Sequence, residues 1–319
     1  MTEAQIARLR ALPAVDTLAR SLSDEVAEGI AVHAARASIE EARQAIKAGD
    51  EGPFDLEGVA QRWARRLDRG RIRSVINATG IVVHTNLGRA PWSASAREAA
   101  LRASGYCDLE MELSSGQRGG RLSGVSAQIR MLTGAEDALV VNNCAAAVLL
   151  ALTALARDRD VIVSRGELVE IGGSFRVPDV IASGGARLRE VGTTNRTRAS
   201  DVADAIDEHV SVILRVHPSN FRISGFTEAP DRAELVRVSH EHDVVLVEDL
   251  GSGCLDPALG EEPVQDVVRT GVDVVCFSGD KLLGGPQSVI LACRLAVMQR
   301  LREHPLYRAL RVDKVVLAA

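Results

Sequence analysis

A polar, glycine-rich turn, Phe277-Ser-Gly-Asp-Lys-Leu-Leu-Gly-Gly-Pro-Gln287, separates two short apolar runs. Its lysine is unusual, because the chain has 38 lysine and arginine residues and only Lys47, Lys281 and Lys314 are lysine. Arginine is effectively never deprotonated, whereas a partly desolvated lysine can present a neutral amine that forms a Schiff base with an aldehyde. Lys281 therefore indicates pyridoxal phosphate chemistry, and the alternative is an exposed lysine in a surface loop.

The neighbours of Lys281 favour the first interpretation. Ser278, three residues earlier, could place its hydroxyl on the cofactor phosphate. Gly284 and Gly285 predict a backbone that turns where a Cβ atom would collide. Short motifs recur by chance, so the turn needs support from the rest of the chain.

Composition restricts the class of protein. A chain of 319 residues with 46% hydrophobic and 25% charged residues is ordinary for a soluble protein of one or two domains. Five scattered cysteines, odd in number and without a CxxC pair, favour a reducing compartment over a disulfide framework or a zinc site. Without a signal peptide or an apolar run near ~18 residues, we expect a cytoplasmic protein with no membrane partner. The net charge of −5 means that a nucleic acid would need a local basic patch.

The first part of the chain, residues 1–74, predicts a helical domain. One helix has an apolar stripe at helical spacing: Leu56, Val59, Ala60, Trp63 and Leu67. Its opposite face is basic and carries Arg62, Arg65, Arg66 and Arg69, followed by Arg71 and Arg73. This basic face could bind RNA phosphates. The alternative is a solvated helix face whose cations favour the helix dipole.

From Val75 onward, short β-branched runs alternate with helical segments, which predicts an α/β domain with a mostly parallel, doubly wound sheet over residues 75–298. The predicted strands are Ile81–His84, Ala138–Asn142, Val161–Ser164, Leu188–Val191, Val212–Val216, Val244–Glu248, Val272–Phe277 and Val289–Ala292. In such sheets, ligands bind beyond the carboxyl ends of the strands.

Three groups of residues follow predicted strands. Asn143, Cys144 and Ala145 lead from a strand into a helix, whose N-terminus could hold a phosphate. Asp249 could pair with a pyridinium nitrogen, although it could also be a turn or cap aspartate. His217 lies in the motif Leu214–Asn220, in which a predicted strand ends and an imidazole and an amide follow. A lone histidine there is more often structural. The order of phosphate turn, aspartate and Ser-x-x-Lys resembles a fold-type I pyridoxal phosphate enzyme.

Long motifs also resemble one family. Asn77–Ala90, Val163–Arg176, Glu190–Arg196 and Phe277–Pro286 are similar to bacterial selenocysteine synthases, the L-seryl-tRNA(Sec) selenium transferases, and the likeness runs from about Leu12 to the end. The resemblance implies a pyridoxal phosphate Schiff base on Lys281, a helical N-terminal domain that binds tRNA, and a ring-shaped homo-oligomer, a ring of dimers, with active sites between subunits.

The implied reaction is a β-replacement that converts seryl-tRNA(Sec) to selenocysteinyl-tRNA(Sec) with selenophosphate. The cofactor would contact Lys281, Asp249, Ser278, His217 and the phosphate turn. We expect the selenium donor at Arg89, Arg308 and Arg311, since the last two are spaced to share a helix face and guanidinium groups suit phosphate. The alternatives are a related lyase on a small amino acid or amino sugar, and an inactive tRNA-binding or assembly remnant.

The chain also departs from the family pattern. Cys144 stands at the usual third asparagine of the phosphate turn, and Gly124 stands where a histidine is usual. Family members continue into a small C-terminal domain, so residues 299–319 predict the start of a truncated region. We expect its absence to uncover apolar surface around Leu295, Val297, Leu301 and Leu310.

Overall fold

A computed structural model of the chain describes residues 1–69, 72–171, 175–218 and 221–319. Two units are distinguished by their internal contacts, Met1–Ile76 and Asn77–Ala319. Arg71 of the predicted basic face and the Ser219 and Asn220 end of the Leu214–Asn220 motif lie outside the described residues, as does Gly172–Ser174 of the Val163–Arg176 motif.

The first unit is helical. Its helices are α1 (Glu3–Arg10), α2 (Val15–Arg20), α3 (Glu28–Lys47) and α4 (Leu56–Asp68). Asp55 begins α4 by accepting a hydrogen bond from the Gly58 N–H at 2.8 Å, which satisfies a donor that the helix itself leaves free. Small side chains let the helices approach closely, and the core includes Ala31, Ala34, Ala35, Ala60 and Ala64. Ala60 of the predicted apolar stripe of α4 belongs to this core, and Leu56 and Trp63 pack against it.

The second unit alternates strands and helices. Its helices are α5 (Ala94–Ala103), α6 (Ser123–Thr133), α7 (Cys144–Ala156), α8 (Val177–Ser183), α9 (Ala199–Ala203), α10 (Arg232–Glu241), α11 (Val264–Arg269), α12 (Leu295–Glu303), α13 (Pro305–Leu310) and α14 (Lys314–Ala318). Its strands are β1 (Met111–Glu112), β2 (Gln117–Arg118), β3 (Asp137–Val141), β4 (Asp160–Ser164), β5 (Glu170–Ile171), β6 (Phe175–Arg176), β7 (Arg187–Val191), β8 (Val210–Val216), β9 (Val245–Gly251), β10 (Val274–Ser278) and β11 (Val289–Cys293).

Seven of these strands form one sheet in the order β3-β11-β10-β9-β8-β4-β7. The pairs from β10 to β7 are parallel, and β11 is antiparallel to both of its neighbours. Since β11 reverses direction, β3 runs the same way as β10. The carboxyl ends of β3, β8, β9 and β10 therefore meet at one edge of the sheet. The predicted mostly parallel α/β sheet is confirmed.

Both faces of this sheet are covered. Val212 and Leu214 of β8 belong to an apolar cluster on one face, and Ile213 between them belongs to a cluster on the other. This alternation follows from the two-residue period of a strand. Continuous apolar runs such as β3 and β10 are buried along their whole length. The sheet is thus a rigid support for the residues at its carboxyl edge.

The predicted strand Ile81–His84 is wrong. These residues form no strand, and Ile81 and Val82 are exposed. The Asn77 side-chain amide donates to the Ile81 carbonyl at 2.9 Å, and the Thr79 hydroxyl accepts from the Ile81 N–H at 3.2 Å. Local side-chain hydrogen bonds of this kind compete with ladder formation, so the segment turns instead of pairing.

The predicted apolar surface near the end of the chain is also largely wrong. Val297 and Leu301 of α12 are 8% and 0% exposed, because they belong to the apolar cluster that contains α7. Leu310 is partly buried against the same cluster, whereas Leu295 is 60% exposed. Helix packing within this unit therefore covers most of the predicted patch.

Two further observations concern the class of protein. All five cysteines are free thiols, and three of them, Cys254, Cys276 and Cys293, are buried. Across the four described ranges, no helix is both long enough and apolar enough to cross a membrane.

Candidate active site

A cavity of about 460 Å³ opens at the carboxyl edge of the sheet. The sequence-predicted residues that line it are Arg89, Asn143, Cys144, Ala145, His217, Asp249, Ser278 and Lys281. Arg89 comes from the loop before α5, and the other residues come from the carboxyl ends of four strands that are far apart in sequence, with Cys144 and Ala145 also in the first turn of α7. Their convergence follows from the parallel direction of β3, β8, β9 and β10, which brings their carboxyl ends together.

The lysine turn joins β10 to the antiparallel strand β11. Its base is closed by backbone hydrogen bonds from the Gly279 N–H to the Ser288 carbonyl and from the Gly285 N–H to the Gly279 carbonyl, both 2.8 Å. Gly284 has φ +72°, a conformation that favours glycine, although open space surrounds the position of a Cβ atom there. A collision was predicted at both glycines, but the structure shows a close approach only at Gly285, where a Cβ atom would lie 3.2 Å from the Gly279 carbonyl oxygen.

Asp249 lies near the end of β9 and is 7% exposed. Its Oδ2 accepts a hydrogen bond from the Cys144 thiol at 2.9 Å, whereas its Oδ1 is buried with no hydrogen-bond partner among the described residues. Burial raises the pKa of Asp249, and the Cys144 hydrogen bond and the charge of Lys281 oppose this rise. A cationic N–H group placed at Oδ1 would satisfy that oxygen and favour the ionised carboxylate.

Helix α7 begins beside Asp249. The Asn143 side chain caps it by accepting from the Ala146 N–H at 2.9 Å. The N–H groups of Cys144 and Ala145 belong to the first turn, for which a helix offers no acceptor of its own. Together with the positive end of the helix dipole, this turn can hold a phosphate.

His217 follows β8, and its backbone N–H donates to the Asp249 carbonyl at 3.0 Å. Its imidazole is directed toward Gly251, where a Cβ atom would lie 3.7 Å from His217 Cδ2 and 3.9 Å from Lys281 Nζ. Gly251 also has φ +81°, so its backbone favours glycine. The imidazole and the lysine amine thus approach the same point at the cavity wall.

Asp280 also lines the cavity, although the sequence did not single it out. It lies next to Lys281 and is buried, and both of its carboxylate oxygens accept from Arg89 Nη1 at 2.9 Å. Arg89 itself has a left-handed backbone, φ 62°, which is uncommon outside glycine. The signal available in the sequence was a carboxylate immediately before the rare lysine, but its partner is 191 residues away.

Arg308 and Arg311 do not line this cavity. Helix α13 contains Arg308 but ends at Leu310, and Arg311 has an extended backbone, so the predicted shared helix face is wrong. Arg311 lies 3.8 Å from Glu110, which also accepts hydrogen bonds from Arg118 and Arg121. Arg89 is therefore the one of the three predicted donor-binding arginines that lines the cavity, although the backbone of Arg311 forms a β-bridge with Val141 at the end of β3.

The predicted basic face is on α4. Arg62, Arg65, Arg66 and Arg69 are all exposed, and the Arg66 guanidinium lies 5.6 Å from the centre of the Trp63 ring. The Trp63 indole in turn donates to Glu41 at 2.6 Å, which fixes the ring against α3. The exposed guanidinium groups can meet a polyanion.

Comparison with known proteins supports one family. The family model for SelA, L-seryl-tRNA selenium transferase, matches residues 75–319. The L-seryl-tRNA(Sec) selenium transferase of Hyphomonas neptunium is 51% identical over 98% of this chain and 71% of its own length. That of Geobacter metallireducens is 49% identical over 97% of this chain and 70% of its own length. The chain thus spans about seven tenths of these curated relatives.

Solved structures share the fold. A D-glucosaminate-6-phosphate ammonia-lyase has a TM-score of 0.63 and 23% identity, and covers 80% of this chain and 67% of its own. A Thermus thermophilus aspartate aminotransferase mutant has a TM-score of 0.51 and 18% identity, and covers 81% of this chain and 66% of its own. At these identities the likeness shows the fold alone, and it confirms the predicted fold-type I class.

Proposed function

Because the chain belongs to the SelA family of L-seryl-tRNA selenium transferases, we propose that it converts L-seryl-tRNA(Sec) to L-selenocysteinyl-tRNA(Sec), with pyridoxal phosphate bound through Lys281 and selenophosphate as the selenium donor. The observation that carries this proposal is the cavity at the sheet edge, where Lys281, Asp249 and the N-terminus of α7 converge. Since aminoacyl-tRNA is the substrate, we propose a cytoplasmic location.

The residues present fit the cofactor. Asp249 Oδ1 is a buried acceptor without a partner in the described part of the chain, which suits the ring nitrogen of pyridoxal phosphate. The first turn of α7 suits its phosphate, and the Ser278 hydroxyl lines the same cavity. When bound, pyridoxal phosphate supplies an aldehyde for the substrate amine and a ring that accepts electrons from Cα.

Each side chain of the site has its own proposed role. The Lys281 amine would hold the cofactor through its aldehyde and, once the serine amine has taken its place, would accept the proton from serine Cα. The Asp249 carboxylate keeps a proton on the ring nitrogen, and the exposed His217 imidazole lines the site from the end of β8. The serine hydroxyl would leave as water, selenium from selenophosphate would bond to the β-carbon, and a water oxygen would take the phosphoryl group, which leaves as phosphate. The serine carboxylate is esterified to tRNA, so the site needs no arginine for a free carboxylate.

The proposed sites for selenophosphate and tRNA are based on the positions of exposed or cavity-lining arginines. Arg89 is the donor-binding candidate that lines the cavity, and Asp280 holds its guanidinium in place. Arg308 and Arg311 lie outside the cavity of their own chain. Their proposed role in binding selenophosphate therefore requires a homo-oligomer in which a second copy brings them to the site. The helical unit with its basic face on α4 is the proposed tRNA-binding domain.

Borohydride reduction tests the cofactor assignment. We expect the reduced protein to carry a pyridoxyl adduct on Lys281 by peptide mass spectrometry, and we expect Lys281→Arg to carry none. Lys47→Arg is the matched control, because Lys47 is an exposed lysine of α3 and should leave the adduct unchanged. An adduct on Lys47 or Lys314 would refute the assignment, and no adduct at all would favour the inactive remnant.

Substrate choice tests the reaction. We expect selenium to be incorporated with seryl-tRNA(Sec) and not with free serine. Ammonia release from a small amino acid or an amino sugar acid, without turnover of seryl-tRNA(Sec), would favour the lyase instead.

A further inference from the structure

The two carboxylate oxygens of Asp249 have different surroundings. Oδ2 receives the Cys144 thiol hydrogen at 2.9 Å, across 105 residues of sequence. Oδ1 is buried and has no hydrogen-bond partner among the residues that the structure describes. A buried polar atom without a partner is costly, so its persistence at a cavity wall indicates that a ligand atom completes it.

The Cys144 thiol is suited to hold the other oxygen. Burial raises its pKa well above the usual value, and the neighbouring Asp249 carboxylate raises it further, so the thiol stays protonated and keeps donating. A thiol is also a neutral donor. It can fix a carboxylate without supplying a positive charge that would compete with a cationic ring nitrogen.

The position of Cys144 makes this contact firm. It is the first residue of α7, whose start is capped by Asn143, and the backbone of that turn lines the same cavity. The helix therefore places the thiol, while β9 places the carboxylate. Both groups are at the ends of short side chains, so the helix and the strand largely fix their positions.

We propose that Cys144 is a positioning residue, which holds Asp249 Oδ2 so that Oδ1 faces the ring nitrogen of the cofactor. The proposal rests on the cofactor part of the proposed function. It assigns to the Cys144 side chain a role distinct from the phosphate-binding role of the surrounding backbone. Removing the thiol leaves the carboxylate free to rotate and weakens its hydrogen bond to the ring.

The test measures cofactor affinity in four proteins: the unaltered chain, Cys144→Ala, Cys144→Ser and the control Cys293→Ala. Cys293 is a buried thiol of β11 that does not line the cavity. Each protein is stripped of cofactor and titrated with pyridoxal phosphate. Each is also titrated with an analogue in which a C–H group replaces the ring nitrogen.

We expect Cys144→Ala to raise the Kd for pyridoxal phosphate about tenfold, which corresponds to about 1.4 kcal/mol. Cys144→Ser retains a donor and should stay within about twofold of the unaltered protein, as should Cys293→Ala. Affinity for the analogue should be the same in all four proteins, because the analogue has no ring N–H group that could donate a hydrogen bond to Asp249. A role for Cys144 in backbone folding alone would weaken both ligands equally.

Three results would overturn the proposal. Equal affinity of Cys144→Ala and the unaltered protein for pyridoxal phosphate would exclude the positioning role and would leave the proposed function standing. An equal loss for both ligands would show that Cys144 acts through the backbone fold of the phosphate turn and not through Asp249. Absence of cofactor binding by the unaltered protein would refute the proposed function as well. If Cys144→Ala fails to fold, Cys144→Val removes the donor while keeping the bulk, and the same comparison applies.

Discussion

At the residue scale, the ionisation of Asp249 controls the proposed chemistry. Burial raises the pKa of its carboxyl group, and the Cys144 thiol, the Lys281 amine, the Gly251 backbone N–H and the His217 imidazole lower it. A ring nitrogen that keeps its proton is a much stronger electron sink than a neutral ring. We therefore propose that the charge on this one side chain decides how readily the α-proton leaves.

We expect Asp249→Asn to bind pyridoxal phosphate yet to slow α-proton loss on the order of 10²-fold, as removal of a preorganised charge commonly does. Exchange of the serine Cα hydrogen for deuterium in seryl-tRNA measures this step directly. Asp256→Asn changes an exposed aspartate outside the cavity and is the control. An unchanged exchange rate in Asp249→Asn would contradict the proposed role.

At the element scale, an ionic cluster ties α10 to β9 behind the carboxyl edge. Arg232 of α10 donates to both oxygens of Glu248 at 2.8 Å and to both oxygens of Glu262 at 2.6 and 2.8 Å. Arg215 of β8 approaches Glu248 at 3.5 Å. The Glu248 side chain is 7% exposed, so these charges interact with little screening.

We expect Glu248→Gln to lower the free energy of unfolding by about 3 kcal/mol, because it leaves buried guanidinium charge without its main partner. The matched control is Glu241→Gln, which breaks an exposed pair with Arg237 on the same helix and should cost at most about 0.5 kcal/mol. Urea denaturation of both variants measures the difference. Equal shifts in the two midpoints would show that the cluster contributes no more than a surface pair.

Glu167 lies beside this cluster and contacts the end of β8. Its carboxylate accepts from the Val216 N–H at 3.3 Å, and it lines a second cavity of about 900 Å³ that also includes Arg215 and His217. Burial raises the pKa of Glu167 from 4.5 to about 7, and Glu248 contributes to the rise. The folded chain therefore holds a proton here that the unfolded chain releases.

The sign of the resulting pH dependence follows from proton binding. Between pH 4.5 and about 7 the folded state binds more protons than the unfolded state at Glu167, so this contribution is complete below pH 4.5 and is lost as pH rises through 7. We expect the free energy of unfolding of Glu167→Gln, relative to that of the unaltered protein, to rise by about 2–3 kcal/mol from pH 5 to pH 8. Denaturation curves at the two pH values test this. A difference that does not change with pH would exclude titration of Glu167 in this range.

At the scale of the whole molecule, charge is unevenly distributed. The chain has a net charge of −5, yet α4 presents four exposed arginines on one face. A polyanion such as tRNA would be repelled by the average surface and attracted locally. Binding through this face should therefore depend strongly on salt.

We expect replacement of Arg62, Arg65 and Arg69 by alanine to weaken tRNA binding and to reduce the slope of log Kd against log salt by about 2–3. The control replaces three exposed arginines of the second unit, Arg102, Arg237 and Arg269. Filter binding across a range of salt concentrations measures both sets. If both triple variants kept the original affinity and slope, the α4 face would be an ordinary solvated surface.

Much of this architecture follows from the sequence. Alternation of β-branched runs with helical segments predicted the seven strands of the main sheet to within a few residues, because short apolar runs between helices are typical of strands covered on both faces. The position of a rare lysine in a glycine-rich turn predicted Lys281 as the cofactor-binding residue. The polar residues that follow strands predicted a shared edge, since parallel strands bring their carboxyl ends together. The family motifs are contiguous in sequence, so they too were readable along the chain.

Other features depended on contacts between distant residues. Local patterns could not show that Cys144 donates to Asp249, that Arg89 meets Asp280, or that Arg311 lies against Glu110. They also misjudged Ile81–His84, where side-chain hydrogen bonds replace a strand, and α12, whose apolar face is covered by packing within the second unit. The sequence by itself determined most strands of the sheet and the edge at which Lys281, Asp249 and the phosphate turn lie. Only the tertiary structure decided their partners, because strand register and helix packing bring together atoms that sequence spacing leaves far apart.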